Sequence, residues 1–515
     1  MDAQIGVNAS GPTPSAPVTT DPRQHLRRQL GRQSALLFSG FAIAQICSFA
    51  RNAIIGYALS KGDFGVAATI TIALQMLETL SDLGADRLLV QSADGDDPRL
   101  MAAAHAALLL RGVFTATLLY LSAGLVVHFF DIAKARSAFE AAALVPLIKS
   151  FMHLDSRRQQ RELQNRNFVL IEVVPQALAL AATIPILALT GGYSTVVWIA
   201  ILQALLSVIT SHALSRRPYA ISLETEFVRR LLAFGWPIWL SAFPLVVVYQ
   251  GDRVIVGRLL GMDALAGYSA AFMIAMVPGL LAAKVGHALM LPLLSAQRDN
   301  PSTFYHRYVM MCEGTSIAAA AYLVTFAIAG GVILPLAFGP QYGGLNVVIG
   351  WLAAMWSLRM VQAVPGMALM ARGDTRPLLT AGILRASALG AAWIAVAWGH
   401  GLAGVAAAGV VGELASLAYV AVRVGRDQPG LARITLVRAS YPLLAGAVAS
   451  AVTTQMPAAA TGLLLLPVAM ALAVCSILAG LALMPSLRGF IDGQNTRLRQ
   501  PSTDAMGDNY ATNRS

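Results

Sequence analysis

Apolar residues occur along this chain in long blocks, broken by short clusters of glycine, proline and charge. A block of about 20 apolar residues, coiled as a helix, spans the ~30 Å hydrocarbon core of a bilayer. Reading the blocks this way predicts about fourteen spans. The first six run Gln33 to Tyr57, Phe64 to Val90, Ala103 to Phe130, Ala138 to Asp155, Phe168 to Thr190 and Tyr193 to Leu214. The next six run Leu231 to Gln250, Ala264 to Leu294, Val309 to Phe338, Leu345 to Ala371, Leu378 to Trp398 and Leu402 to Val422. Leu436 to Met456 and Gly462 to Met484 complete the set. The expected fold class is therefore all-α, a polytopic integral membrane protein.

The chain also aligns with itself. At a constant offset of 202 residues, Arg51 falls on Arg253, Gly65 on Gly267, Gly84 on Gly286, Gly112 on Gly314 and Tyr120 on Tyr322. An even number of spans separates the copies, so both halves enter the membrane from the same side, a parallel repeat about an axis along the membrane normal. Two pseudo-symmetric six-helix lobes, 33–214 and 231–422, are expected to enclose a central cavity. Residues 215–230 would link them, and 423–484 would add two further helices. The tails, 1–32 and 485–515, are polar and are expected to be disordered and cytoplasmic.

Composition agrees with the span pattern. Of 515 residues 57% are hydrophobic and only 12% are charged, against roughly 25% charged in soluble domains. Lysine and arginine outnumber acids 37 to 26, for a net charge of +11. On a soluble protein that balance suggests nucleic acid. Here most of the cations cluster in the tails and the even-numbered loops: Arg157, Arg158, Arg161 and Arg166; Arg216, Arg217, Arg229 and Arg230; Arg423, Arg426, Arg433 and Arg438. The asymmetry predicts both termini on the cytoplasmic side, and it removes the case for a nucleic-acid partner. Cys47, Cys312 and Cys475 each lie in an apolar run, with no disulfide or metal spacing. No signal-peptide cleavage pattern follows a short apolar core.

Charges within spans are the candidate chemistry, because each costs roughly 2.5–3.5 kcal/mol on insertion scales unless it faces a cavity, a partner or the interface. Lys149, Arg359 and Glu413 lie near span centres, Lys284, Arg385 and Asp82 nearer the cytoplasmic half, and Arg111, Glu313 and Glu172 closer to the interface. Arg51 and Arg253 sit toward the outer ends of spans one and seven. In the repeat register Asp82 maps to Lys284 and Arg111 to Glu313, so opposite signs hold equivalent places. Inter-lobe ion pairs are one expectation; pairing within a lobe, or snorkelling to the headgroups, is the other. Glu78, Asp82 and Asp86 recur every fourth residue and would share one helical face, either to couple transport to Na⁺ or H⁺ or to neutralise nearby arginines. Lys149, His153 and Arg157 would form a basic stripe on the fourth span. Prolines at 237, 244, 278 and 365 suggest bends. No Walker lysine motif, HExxH or acid/base constellation appears, which argues against an enzyme and against a bound cofactor.

The stretch from Phe234, FGWPIWLSAFPLVVVYQGDRVIVGRLLGMDALAGYSAAF, resembles the central signature of the polysaccharide transporter family, the Wzx-like oligosaccharide flippases of the multidrug/oligosaccharidyl-lipid/polysaccharide (MOP) exporter superfamily. The matching residues are Phe234, Gly235 and Pro237, then Asp252 and Arg253, then Gly257 to Gly261, then Gly267, Tyr268 and Ser269. LSKGDFG at 59–65, SDLG at 81–84 and RQQRELQNRNF at 158–168 support it. The resemblance covers about 34–422 and implies a V-shaped exporter of the bacterial cytoplasmic membrane working by alternating access. It would flip polyprenyl-diphosphate-linked oligosaccharide from the inner to the outer leaflet. The cations Lys149, Lys284, Arg359, Arg51, Arg253 and Arg111 would meet the anionic substrate; Asp82, Glu78, Glu313 and Glu413 would couple an ion or gate the lobes. The implied partners are the lipid-linked oligosaccharide, membrane lipid, H⁺ or Na⁺, and glycan polymerase or export machinery, with the protein itself monomeric. Two other readings stay open: a drug/cation antiporter of the same superfamily, in which Asp82 would serve as the coupling acid, and a non-transporting scaffold for a glycan synthase complex.

Overall fold

The computed structural model describes residues 22–426, 428–455 and 462–487. The outer parts of both predicted tails, 1–21 and 488–515, lie outside the described residues, where no structural statement is made. Among the described residues every regular element is helical, and thirteen helices are long and apolar enough to cross a membrane.

The first half holds α1 (Pro22–Ala58), α2 (Lys61–Leu80), the short α3 (Ala85–Gln91) and α4 (Pro98–Phe129). After them come α5 (Arg136–Ala142), α6 (Leu144–Lys149), α7 (Asp155–Arg161), α8 (Arg166–Thr190) and α9 (Ser194–Ala213). Helix α1 starts well ahead of the predicted Gln33, taking in part of the predicted tail, with Pro22 at its first position, where a missing N–H is tolerated. The LSKGDFG stretch is the start of α2: the Ser60 hydroxyl accepts from the Asp63 N–H at 3.1 Å and donates to its carboxylate at 2.8 Å. Asp97 caps α4 in the same way, its Oδ1 accepting from the Arg99 N–H at 2.8 Å.

Three predicted spans differ from expectation, of which span eleven is interrupted at Ser387. Span two is not continuous: the helix stops at Leu80, Gly84 turns with φ 64°, and α3 begins at Ala85. The Asp82 Oδ1 accepts from the Gly84 N–H at 3.0 Å, so the SDLG sequence makes its own turn. The expected acidic stripe is thereby broken, with Glu78 on α2, Asp82 in the turn and Asp86 on α3. Span four is two short helices, α5 and α6, meeting at Ala143. Pro146 lacks the N–H that would bond the Ala142 carbonyl, which accounts for the interruption. Lys149 ends α6 and Arg157 lies on α7, so the expected basic stripe is also discontinuous.

The second half comprises α10 (Thr225–Leu260), α11 (Met262–Ser295), α12 (Pro301–Phe338), α13 (Asn346–Ala371), α14 (Arg376–Ala386), α15 (Ala388–Ala397) and α16 (Gly401–Val424). The predicted last two spans are α17 (Pro429–Gln455) and α18 (Leu465–Leu483). Pro237, Pro244, Pro278 and Pro365 lie inside continuous helices, each removing one backbone hydrogen bond without ending its helix. Helices α17 and α18 pack on α12, where Gly446 meets Leu323 and Gly480 meets Ile317.

Helices α1, α8 and α9 form one packed group with α4 to α6, and α11, α12, α13 and α16 another. The two groups touch most closely at the end opposite the arginine-rich loops. There Gly65 of α2 lies so near the Met262 carbonyl of α11 that any Cβ would collide with it, and Gly56 of α1 abuts the Phe338 ring of α12. The Gln341 side chain donates to the Gly56 and Leu59 carbonyls at 3.0 and 2.9 Å. Phe64, Phe338 and Tyr342 meet edge to face around this seam, with centroids 5.9–6.0 Å apart. At the arginine-rich end the first turns of α10 pack on the first half instead, Phe227 and Leu231 burying against Leu88, Leu89, Leu100 and Met101.

Candidate functional site

Between the two groups lies a cavity of about 500 Å³, walled by α1, α2, α9, α10 and α11. Arg51 and Arg253, the pair matched by the repeat, both line it. Their supports differ. The Arg51 Nη1 donates to the side-chain oxygens of Gln203 at 2.5 Å and Gln176 at 3.2 Å, on α9 and α8. The Arg253 guanidinium lies 4.6 Å from the centre of the Phe272 ring, and its Nη2 donates to the Tyr249 carbonyl at 2.6 Å. Its Nε is buried without a partner. The neighbouring Asp252 accepts from the Tyr268 hydroxyl at 2.8 Å, so the aspartate-arginine and glycine-tyrosine-serine motifs of the sequence meet in space.

Glu78 is the cavity's acid, and it is already occupied: Lys149 reaches it at 2.6 Å from α6. Below it Arg111 closes the end of α2, its Nε donating to the Ser81 hydroxyl at 3.0 Å and its Nη2 to the Glu78 carbonyl at 2.6 Å. Asp82 pairs with Arg87 at 3.0 Å and Arg111 at 3.5 Å. These groups hold the α2–α3 turn together, and they spend their charge within the first half.

Two buried acids of the second half are likewise paired within it. Glu413, fully buried on α16, is gripped by Arg359 of α13 and, at 2.8 Å, by Arg385 of α14. Arg359 also stacks over Trp356 and Tyr249, 4.6 and 5.2 Å from their centres. Glu313, buried on α12, pairs with Arg438 of α17 at 2.7 Å and accepts from the Leu487 N–H at 2.9 Å. Lys284 does not line the cavity; its ammonium sits 2.9 Å from the centre of the Phe41 ring, bridging α11 and α1.

Of the six expected substrate cations, Arg51 and Arg253 therefore reach the cavity directly, and Lys149 approaches it through Glu78. Arg111, Lys284 and Arg359 are committed elsewhere. In this conformation Asp82 does not meet Lys284, nor Arg111 Glu313: Asp82 and Arg111 pair within the first half and Glu313 within the second, whereas Lys284 crosses to the Phe41 ring of the first half. The contact made across the cavity is uncharged, the Gln250 amide of α10 donating to the Gln75 oxygen of α2 at 2.9 Å. Reading the sequence for charge passed over these amides. Gln75, Gln176, Gln203 and Gln250 all interrupt apolar runs, and their burial cost in a span was the available signal.

A family model described as "Polysaccharide biosynthesis protein" matches residues 58–346. No curated protein sequence gives a match. Among solved structures, the chain is similar to the lipid II flippase MurJ in an inward closed conformation, with TM-score 0.67 and 13% identity over 88% of this chain and 99% of that one. An inward-facing multidrug resistance MATE family transporter of the MOP superfamily gives TM-score 0.55 and 14% identity over 80% of this chain and 96% of that one. A MOP superfamily transporter from Pyrococcus furiosus gives TM-score 0.50 and 17% identity over 77% and 95%. At such identities the likeness concerns the fold. The family match spans more than half of the chain, so this multi-pass membrane protein belongs to the polysaccharide biosynthesis protein family and has the MOP exporter fold.

Proposed function

We propose that the protein flips a polyprenyl-diphosphate-linked oligosaccharide from the inner to the outer leaflet of the bacterial cytoplasmic membrane by alternating access. The observation that carries this reading is the placement of Arg51 and Arg253, at repeat-equivalent positions, on the wall of one central cavity. Two guanidinium groups present planar, permanently charged donors suited to phosphate oxygens. The transfer makes and breaks no covalent bond, so binding and conformational exchange suffice. The outer-leaflet product would then pass to glycan polymerising or export machinery.

Coupling to H⁺ is part of the proposal, with Glu78 as the exchanging group. A proton on Glu78 releases Lys149 to the substrate, and restoring the Glu78–Lys149 pair at 2.6 Å ejects the substrate. Both termini would be cytoplasmic, as the arginine-rich loops require.

The test is reconstitution in liposomes with a fluorescent polyprenyl-diphosphate oligosaccharide, scoring its appearance in the opposite leaflet with and without a proton gradient. Gradient-dependent movement supports the proposal. No movement of any such lipid, together with proton-linked efflux of cationic dyes, would replace it with the antiporter reading that the MATE-like fold also admits.

A further inference from the structure

We propose that His105 and His153 form an acid-released clasp on the linker between the halves, holding it to the first half at neutral pH and letting it go as the arginine-rich side acidifies. The proposal does not depend on what the central cavity binds. Four rings nest at this end of the first half: His105 of α4, His153 between α6 and α7, His212 of α9 and Tyr219 of the linker that follows it. His105 stacks on Tyr219 with centroids 4.4 Å apart, and His153 meets His105, His212 and Tyr219 at 4.9, 5.3 and 5.7 Å. His105 and His153 are only 1% and 2% exposed.

Their hydrogen bonds require both rings to be neutral. A backbone N–H can only donate, so the Leu154 N–H makes the His105 Nε2 an acceptor at 3.1 Å, and the Asp155 N–H does the same to the His153 Nδ1 at 3.1 Å. The ring protons are therefore on the opposite nitrogens, which donate to linker carbonyls: His105 Nδ1 to Ala220 and His153 Nε2 to Arg217, each at 3.0 Å. A second proton on either ring would turn its accepting nitrogen into a donor aimed at a backbone N–H. The acids beside the rings are already committed. Asp155 accepts from the Arg158 Nε, the Gln159 amide and the Arg216 N–H at 2.7, 2.8 and 2.9 Å. Asp96 pairs with Arg158 and Arg217 at 3.7 and 4.0 Å. A buried imidazolium here would thus lack a counter-ion and be repelled by both arginines. His212 differs: it is exposed and bonds the Phe151 carbonyl through Nε2 at 2.9 Å, so charging it breaks no contact with the linker.

The clasp sits just ahead of α10, the helix that continues into the second half. After Ala220 the Ser222 N–H donates to the Ala102 carbonyl at 3.2 Å, and α10 begins at Thr225. Losing the Arg217 and Ala220 contacts loosens the start of that helix, whose Phe227 and Leu231 pack on the first half. Opening takes up protons, so it is suppressed above histidine's ordinary value of about 6.5 and favoured as pH falls below it.

The experiment places a nitroxide on Ala220→Cys, an exposed linker position, in the purified full-length protein with Cys47, Cys312 and Cys475 replaced by serine. Its electron paramagnetic resonance spectrum is followed from about pH 7.5 to about pH 5, on either side of histidine's ordinary value. The spectrum should pass from an immobile to a mobile component, their ratio rising about tenfold per pH unit for each proton taken up. The double variant His105→Phe with His153→Asn takes up no proton at these positions and should show no such step, even where its linker is loose throughout. A spectrum of the native histidines that does not change over this range overturns the inference, as does a step that persists in the double variant. Either result leaves the transport reading standing.

Discussion

Gln250 donates its side-chain amide to the Gln75 oxygen at 2.9 Å, joining α10 to α2 at the wall of the central cavity. An amide pair is well suited to a seam that must open in every transport cycle. Its net worth is about 0.5–1.5 kcal/mol, and water or a sugar hydroxyl can replace either partner. Parting a desolvated ion pair would instead strand two charges.

Removing either amide should therefore loosen the closed arrangement without unfolding the protein. A single cysteine at cavity-lining Ser269, with Cys47, Cys312 and Cys475 replaced by serine, would report on access. Gln75→Ala or Gln250→Ala should speed its reaction with a small hydrophilic thiol reagent several-fold, in line with roughly 1 kcal/mol. An unchanged rate would show that the pair does not hold the cavity shut.

Arg51→Ala and Arg253→Ala should each weaken binding of a lipid diphosphate by about tenfold or more, since hydrogen bonds to charged groups are worth roughly 1.5–3 kcal/mol. The double variant should lose more than either single change, and departure from the product of the two would measure their coupling through the shared diphosphate. Lysine at either position should restore only part of the loss, because an ammonium lacks the planar fork. Leaflet-transfer rates in liposomes check this, and full activity of the double variant would remove both residues from the site.

Glu413→Ala should destabilise the second half by about 3–5 kcal/mol, because it leaves Arg359 and Arg385 buried with no counter-ion. A triple variant, Glu413→Leu with Arg359→Met and Arg385→Leu, should recover most of that stability. Thermal unfolding in detergent measures both. An unaltered Tm for the single variant would mean that solvent reaches the cluster.

The loop residue Asp94 supplies a pH signature. Hydrogen bonds from Arg230, and then from Ser92, hold its carboxyl well below the ordinary value of 3.8. The folded value is depressed, so the stabilisation is complete above the unfolded value and lost only as pH falls through the folded one. The stability difference between the native protein and Asp94→Asn should be flat from about pH 5 to 8, modest because the pair is exposed, and should vanish only in strong acid. A difference that changes near neutral pH would assign the effect to another group.

Much of this architecture was legible along the chain. Hydrophobicity over about 20 residues is a local property, so about fourteen spans could be read directly, against thirteen sufficiently long and apolar helices among the described residues. The repeat register singled out Arg51 and Arg253, and both line the cavity. Interruptions were less legible. Gly84 and Pro146 were visible, yet whether a glycine or proline ends a helix depends on what packs around it: Pro237 and Pro365 leave theirs continuous, whereas the helix near Pro146 divides.

Span positions, the all-helical class and the basic bias of alternate loops thus follow from residue order, since each depends on neighbours within a few turns. The partner of each buried charge does not. Whether Lys149 meets a substrate or Glu78, and whether Arg359 faces the cavity or Glu413, turns on helix rotation and on residues 54 to 71 positions away. In this conformation packing pairs both of these charges within their own halves, while Arg51, Arg253 and several side-chain amides line the cavity.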